Sequence, residues 1–172
     1  MSRQPLPDYV HPVLGVFSRS QITNHLGEWF VYLQKQGSTS IPGLGYMFPD
    51  FSISLKGTAE PPPDMVVDLV QLVQWPALRK HEVEAQLFQH YLANRERYME
   101  DMRDNDYSDL RITKAAPEIR GPAGSWQLIT RARSINGGTW PQVSIAFDTT
   151  YDEEHELHVS FANDQVVNVW DE

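Results

Sequence analysis

The sequence predicts an α+β domain: a largely antiparallel sheet of about six to seven strands, with two central helices packed on one face. Apolar and polar residues alternate over short runs in the first third of the chain and again in the last third. Between these regions, over residues 64–103, the apolar spacing changes to the i, i+3, i+4 pattern of helices. Strands joined by short turns pair antiparallel, and helices grouped between them cover one face of the sheet. The 172 residues fit one domain spanning residues 1–172, with strands in 10–57, helices in 64–103 and strands in 125–170.

Val10–Phe17 is apolar and rich in β-formers and reads as the first strand, with Pro12 confining its start to a sheet edge. Glu28–Gln34 reads as the second. Residues 36–50 contain three Gly and two Pro and read as a loop. Asp50–Gly57 alternates strictly, with Phe51, Ile53 and Leu55 inward and Ser52, Ser54 and Lys56 outward. Pro61-Pro62-Pro63-Asp64 then announces a helix, because proline fixes φ and an acid suits the first turn. Val66, Leu69, Val70 and Val73 form its apolar stripe, with Asp64, Asp68 and Gln71 on the other side, and Pro76 ends it.

A second helix spans about Leu78 to Met102. Val83, Leu87, Phe88, Tyr91, Leu92, Tyr98, Met99 and Met102 form its stripe, while Glu82, Glu84 and Arg97 point elsewhere. The acidic, turn-rich segment from Asp101 to Asp109 closes it. Trp126–Ile135 reads as a strand carrying Arg131 and Arg133 on one face, and Gly137-Gly138 as a turn. Val143, Ile145 and Phe147, then Leu157, Val159 and Phe161, then Val166, Val167 and Val169 mark the last three strands.

The final hairpin has two registers. A two-residue turn at Asn163-Asp164 pairs Phe161 with Val166 and Val159 with Asn168. A three-residue loop, Asn163–Gln165, pairs Phe161 with Val167 and Val159 with Val169. Only the second keeps one apolar set on one face, since a one-residue slip inverts every side chain. It also sets His158 opposite Trp170 on the outward face.

The net charge is −9, and its distribution is uneven. Residues 148–172 hold eight acids (Asp148, Asp152, Glu153, Glu154, Glu156, Asp164, Asp171, Glu172) and no Lys or Arg. Residues 1–147 hold 15 acids and 14 bases, so nearly all the excess lies at the end. Such a field repels nucleic acid and attracts basic partners. The absence of Cys excludes disulfides, thiolate metal sites and Cys nucleophiles. No signal-peptide h-region and no membrane-spanning run is visible, so a cytoplasmic protein away from the membrane is expected.

Tyr151–Val159 gathers the densest chemistry in the chain. Asp152, Glu153, Glu154 and His155 include the ligand types of a hard or borderline cation, yet neither an EF-hand nor a His-Glu-x-x-His pattern is present. A polar connection between strands explains the same residues. Alternation sends Leu157 and Val159 to the core and turns Glu156 and His158 outward. Gly-x-Ser-x-Gly, the P-loop and Gly-x-Gly-x-x-Gly are all absent. No catalytic residue, metal or cofactor is therefore assigned, and no enzyme is expected.

Glu84–Arg95, Val143–Phe147 and Tyr151–Leu157 together resemble a group of uncharacterised bacterial domains whose C-terminal hairpin carries a Trp-Asp-Glu-Glu-His-Gly-Leu motif. The resemblance runs from about Pro12 to Val169, and the terminal motif is its specific part. Tyr151 stands where Trp is usual, and Glu156 where Gly is usual. The resemblance implies a fold rather than an activity. Domains of this general kind resemble immunity proteins encoded beside polymorphic toxins. The expectation is a binding protein that neutralises a basic toxin or effector domain, of the type VI or contact-dependent kind, through an acidic face of Asp152, Glu153, Glu154, His155, Glu156, Asp171 and Glu172. The alternative is a metal-binding or hydrolytic domain using the Asp152–His155 cluster.

Overall fold

The alternating runs do become strands. A computed structural model of the chain describes residues 2–44, 46–76, 80–104, 130–138, 143–149 and 156–171. The strands are β1 (Ser2–His11), β2 (Gly15–Thr23), β3 (Trp29–Lys35), β4 (Thr39–Ile41), β5 (Tyr46–Phe48) and β6 (Asp50–Lys56). Helices α1 (Pro63–Val73) and α2 (Lys80–Asp104) follow, then β7 (Thr130–Gly137), β8 (Val143–Thr149), β9 (Leu157–Ala162) and β10 (Gln165–Asp171). Eight strands form one sheet in the order β1-β2-β3-β6-β7-β8-β9-β10, and β4 and β5 form a small second sheet. The α+β class is as expected. Every neighbour in the large sheet is antiparallel except β6 and β7, which run parallel from Asp50–Ser134 to Ile53–Gly137. Parallel neighbours need a long crossover, and the two helices lie in it.

The strand count exceeds the expected six to seven because two segments hold more strands than their patterns mark. Val10–Phe17 is not one strand but the end of β1, a turn and the start of β2. Pro12 has no N–H to give a ladder, Gly15 takes φ +95°, and His11 Nδ1 accepts hydrogen bonds from the Val13 and Leu14 amides. β1 then extends back to Ser2 through Pro5 and Pro7, which an edge strand tolerates. Residues 36–50, read as a loop, contain β4 and β5. Gly43 seats them: a Cβ there would lie 2.3 Å from the Trp75 carbonyl oxygen, so only glycine lets this backbone meet the end of α1.

Helix α1 opens as expected, with proline in its first turn and Asp64 beside it. Its buried face is turned from the expected stripe: Met65, Asp68, Leu69 and Leu72 are buried, while Val66, Val70 and Val73 are only partly covered. Asp68 can face inward because its Oδ1 accepts the Asn163 N–H at 2.9 Å. On α2, Val83, Leu87 and Tyr91 are buried as expected, but Leu92 is exposed and Glu84 is buried. The side chains of Tyr98, Met99 and Met102, the segment 105–129 and the Arg131 side chain lie outside the described residues.

One continuous core joins these layers. Phe17, Val31, Leu33, Phe51, Ile53 and Leu55 come from the first half of the sheet, and Ile135, Ile145, Phe147, Leu157, Val159 and Phe161 from the second. Met65, Leu69, Leu72, Val83, Leu87 and Tyr91 come from the helices. Edge-to-face aromatic pairs tie the parts together, Phe17 to Phe51 at 5.0 Å and Trp75 to Phe161 at 4.8 Å between ring centres.

Candidate functional site

The C-terminal hairpin is where the acidic residues were expected to act, and its register was the sharpest expectation. Val159 pairs with Val169 and His158 with Trp170, as the continuous apolar face required. The turn, however, has two residues: Ala162 pairs with Gln165 and Phe161 with Val166. Asn163 and Asp164 occupy it with φ +51° and +61°, conformations that Asn and Asp tolerate best among residues with a Cβ. A bulge at Val167 then restores the apolar register. The extra residue expected in the loop is in the strand instead.

The turn is fastened to α1. Asp68 accepts the Asn163 amide, and Asp164 Oδ1 accepts the Trp75 indole N–H at 2.8 Å. With the tip held, the open end of the hairpin is the Leu157–Asp171 rung. Glu156 lies just before it in the chain, so Glu156 and Asp171 meet at this end.

Of the seven expected contact residues, Glu156 and Asp171 are described; Asp152, Glu153, Glu154, His155 and Glu172 lie outside the described residues. Glu156 and Asp171 come together at one end but on different faces. Asp171 shares a rung with Leu157, on the core side, and pairs with Arg97 of α2. Glu156 is on the His158 side, where Oε1 lies 2.6 Å from Arg133 Nε and Oε2 lies 3.8 Å from His158 Nε2. Arg133 also reaches Asp148 at 3.2 Å. Half-exposed pairs of this kind stabilise by only ~0–1 kcal/mol. Their effect is to commit two acids of the candidate face to internal arginines. The basic residue Arg133 was visible in the sequence, but nothing along the chain linked it to Glu156.

Burial acts to raise the Asp171 pKa. The hydrogen bond and charge of Arg97, with smaller help from its own backbone and His90, outweigh burial and hold the carboxyl below its ordinary 3.8. His90 on α2 is shifted down from 6.5, chiefly by burial; Asp171 pulls it back up and Arg97 pushes it further down. His158 faces outward as expected, yet it is 5% exposed, stacked on Trp170 with ring centres 4.2 Å apart and planes 9° apart. The Trp170 indole donates to Ser160 Oγ at 2.9 Å. This arrangement orders an imidazole between an indole and a carboxylate. Among the described residues no group of three or more His, Asp or Glu is placed to hold a metal ion. The Asp152–His155 cluster of the metal-binding alternative lies outside them. No helix among the described residues is long and apolar enough to cross a membrane.

No family model, no curated protein and no solved structure matches the chain.

Proposed function

We propose that the chain is a cytoplasmic binding protein of the immunity type, which captures a basic toxin or effector domain at the open end of its C-terminal hairpin. The observation that supports this is the Leu157–Asp171 rung. It brings Glu156, the last acid of one run in the sequence, and Asp171, the first acid of the other, to one end of a hairpin whose other end is bonded to α1. An excess of acidic residues accelerates encounter with an oppositely charged partner and orients it. Glu156 and Asp171 also serve the fold through Arg133 and Arg97, so the discriminating substitutions are Asp152→Lys, Glu153→Lys and Glu154→Lys.

The test is to isolate the partner from the native host, purify it and measure association kinetics against salt. Wild-type association should slow by about tenfold or more as salt rises from low to high ionic strength, and the triple variant should already associate that slowly at low salt, with a flattened salt dependence. An unchanged on-rate and salt slope in the triple variant would remove the acidic end as the contact.

A further inference from the structure

We propose that the outward face of β1–β3 is a second binding site, a groove for a neutral, polyhydroxylated ligand with the chemistry of an oligosaccharide. Register fixes which residues form it. Arg19 and Gln21 pair with Leu33 and Val31, on the core side, so Ser18, Ser20 and Ile22 project from the other face. Their partners Gln34, Tyr32 and Phe30 project with them, and Pro5 lies opposite Ser20. These strands bound a groove of about 710 Å³, lined by Pro5, Ser18, Ser20, Ile22, Tyr32 and Gln34 together with Arg19. That volume lies within the ~300–1,000 Å³ of small-molecule sites.

The lining selects the ligand. Its one ionised residue, Arg19, is directed away: Nε donates to the Pro7 carbonyl at 2.9 Å, and Nη1 donates to Glu60 at 2.5 Å and reaches the Ala59 carbonyl at 3.4 Å. The groove therefore offers neutral groups alone, and a charged ligand would lose its water without gaining a counter-charge. Ser18, Tyr32 and Gln34 are exposed in it, whereas Ser20 is buried between them at 6% exposure. The Ser18 hydroxyl donates to the Gln34 carbonyl at 3.2 Å and so presents lone pairs outward. Among the described residues, the exposed Tyr32 hydroxyl and Gln34 side-chain amide make no hydrogen bond within the protein. A purely apolar ligand would bury these groups dry, at a cost for each. Between them lie the apolar surfaces of Pro5 and Ile22 and the ring of Tyr32, which is 41% exposed. A sugar ring has both features, an apolar C–H face and a rim of hydroxyls. Adjacent paired strands hold the groups in place before binding, which lowers the entropy lost on association.

The test is an NMR titration of the full-length ¹⁵N-labelled chain with cellohexaose, chitohexaose and maltohexaose. The expected result is saturable shifts with at least one of them, centred on the amides of Ser18, Ser20, Tyr32 and Gln34. Tyr32→Ala and Gln34→Ala should each weaken binding about tenfold with the thermal midpoint unchanged, and Tyr32→Phe, which keeps the ring, should retain most of it. Absence of saturation with all three sugars at low-millimolar concentration would overturn the proposal. Equal shifts with a neutral Gly/Ser peptide would also overturn it, because they would make the face a peptide-binding surface. If Tyr32→Ala fails to fold, Gln34→Ala and Tyr32→Phe carry the same comparison.

Discussion

Strands β6 and β9 have nearly the same pattern in sequence and different surroundings in space. β6 contains Phe51-Ser52-Ile53-Ser54-Leu55, and β9 runs Leu157-His158-Val159-Ser160-Phe161. In both, the three apolar residues are buried in the shared core. In β6 the two serines are half-buried, and Ser52 donates to Asn136 Oδ1 at 3.3 Å. In β9 the alternate residues are buried as well, and neighbouring β8 repeats the pattern, with Ser144 and Ala146 buried. Alternation shows which side of a strand faces the core. It does not show whether the other side is also covered. A strand with two covered faces usually reads as a continuous apolar run. β9 departs from that rule with small or stacked polar side chains, Ser160 bonded to the Trp170 indole and His158 lying flat on it.

Substitutions along the two strands test this difference, beginning where they should agree. Phe51→Ala and Phe161→Ala each remove a buried ring and should cost ~3–5 kcal/mol in urea unfolding. A small loss at either would mean that its strand is not part of the shared core. The outward residues should then separate the strands. His158→Ala removes a buried, stacked ring and should cost about 2 kcal/mol, whereas Ser54→Ala should stay within ~0.5 kcal/mol. Equal, small effects would erase the contrast.

The turn following β9 should show an intermediate effect. At Asn163, Val should cost ~1–2 kcal/mol because a β-branched side chain resists positive φ, while Gly should be tolerated. If Val were tolerated, the turn would not have the backbone that joins β9 to β10.

The smallest effect is a pH dependence on the β10 side. The His90 pKa is lowered in the folded chain, chiefly by burial, with Asp171 and Arg97 as its charged neighbours. The unfolded chain therefore binds that proton more tightly. The contribution is fully present above about pH 6.5 and is lost as pH falls from there through the folded value. The urea midpoint should decline over that interval in wild type and decline less in His90→Gln. An identical decline in both would place the titrating group elsewhere. Asp171, also lowered, should add a separate loss only below its ordinary 3.8.

The sequence was most informative where one physical rule acts alone. β6 was legible because its pattern is strict, and α1 because prolines and Asp64 mark its start. The hairpin register beyond its bulge was legible because only one pairing keeps Val159 and Val169 together. The β1–β2 turn was not, since a turn inside an apolar run has no compositional boundary. α1 was rotated because a tertiary hydrogen bond, Asp68 to Asn163, drew a carboxylate inward. The candidate site was legible in charge and only partly in geometry: alternation separates Glu156 and Asp171 onto two faces, but their arginine partners do not follow from spacing. The β1–β3 groove was missed because its hydroxyls and amide are scattered over three strands, none forming a motif.

The parallel ladder between β6 and β7 bears on how the sheet assembles. On either side of it, each main-sheet strand pairs with one near it in the chain. The β6–β7 ladder has four rungs and joins residues such as Ser52 and Asn136, 84 apart in sequence. Closing so long a loop costs entropy before the ladder returns any stability. The two antiparallel halves can therefore form early and dock late, with this ladder as the seam between two cooperative units. Native-state hydrogen exchange should find amides of Ser134–Asn136 opening at lower free energy than those at the centre of β3. A uniform opening energy across the sheet would mean that it folds and unfolds as one piece.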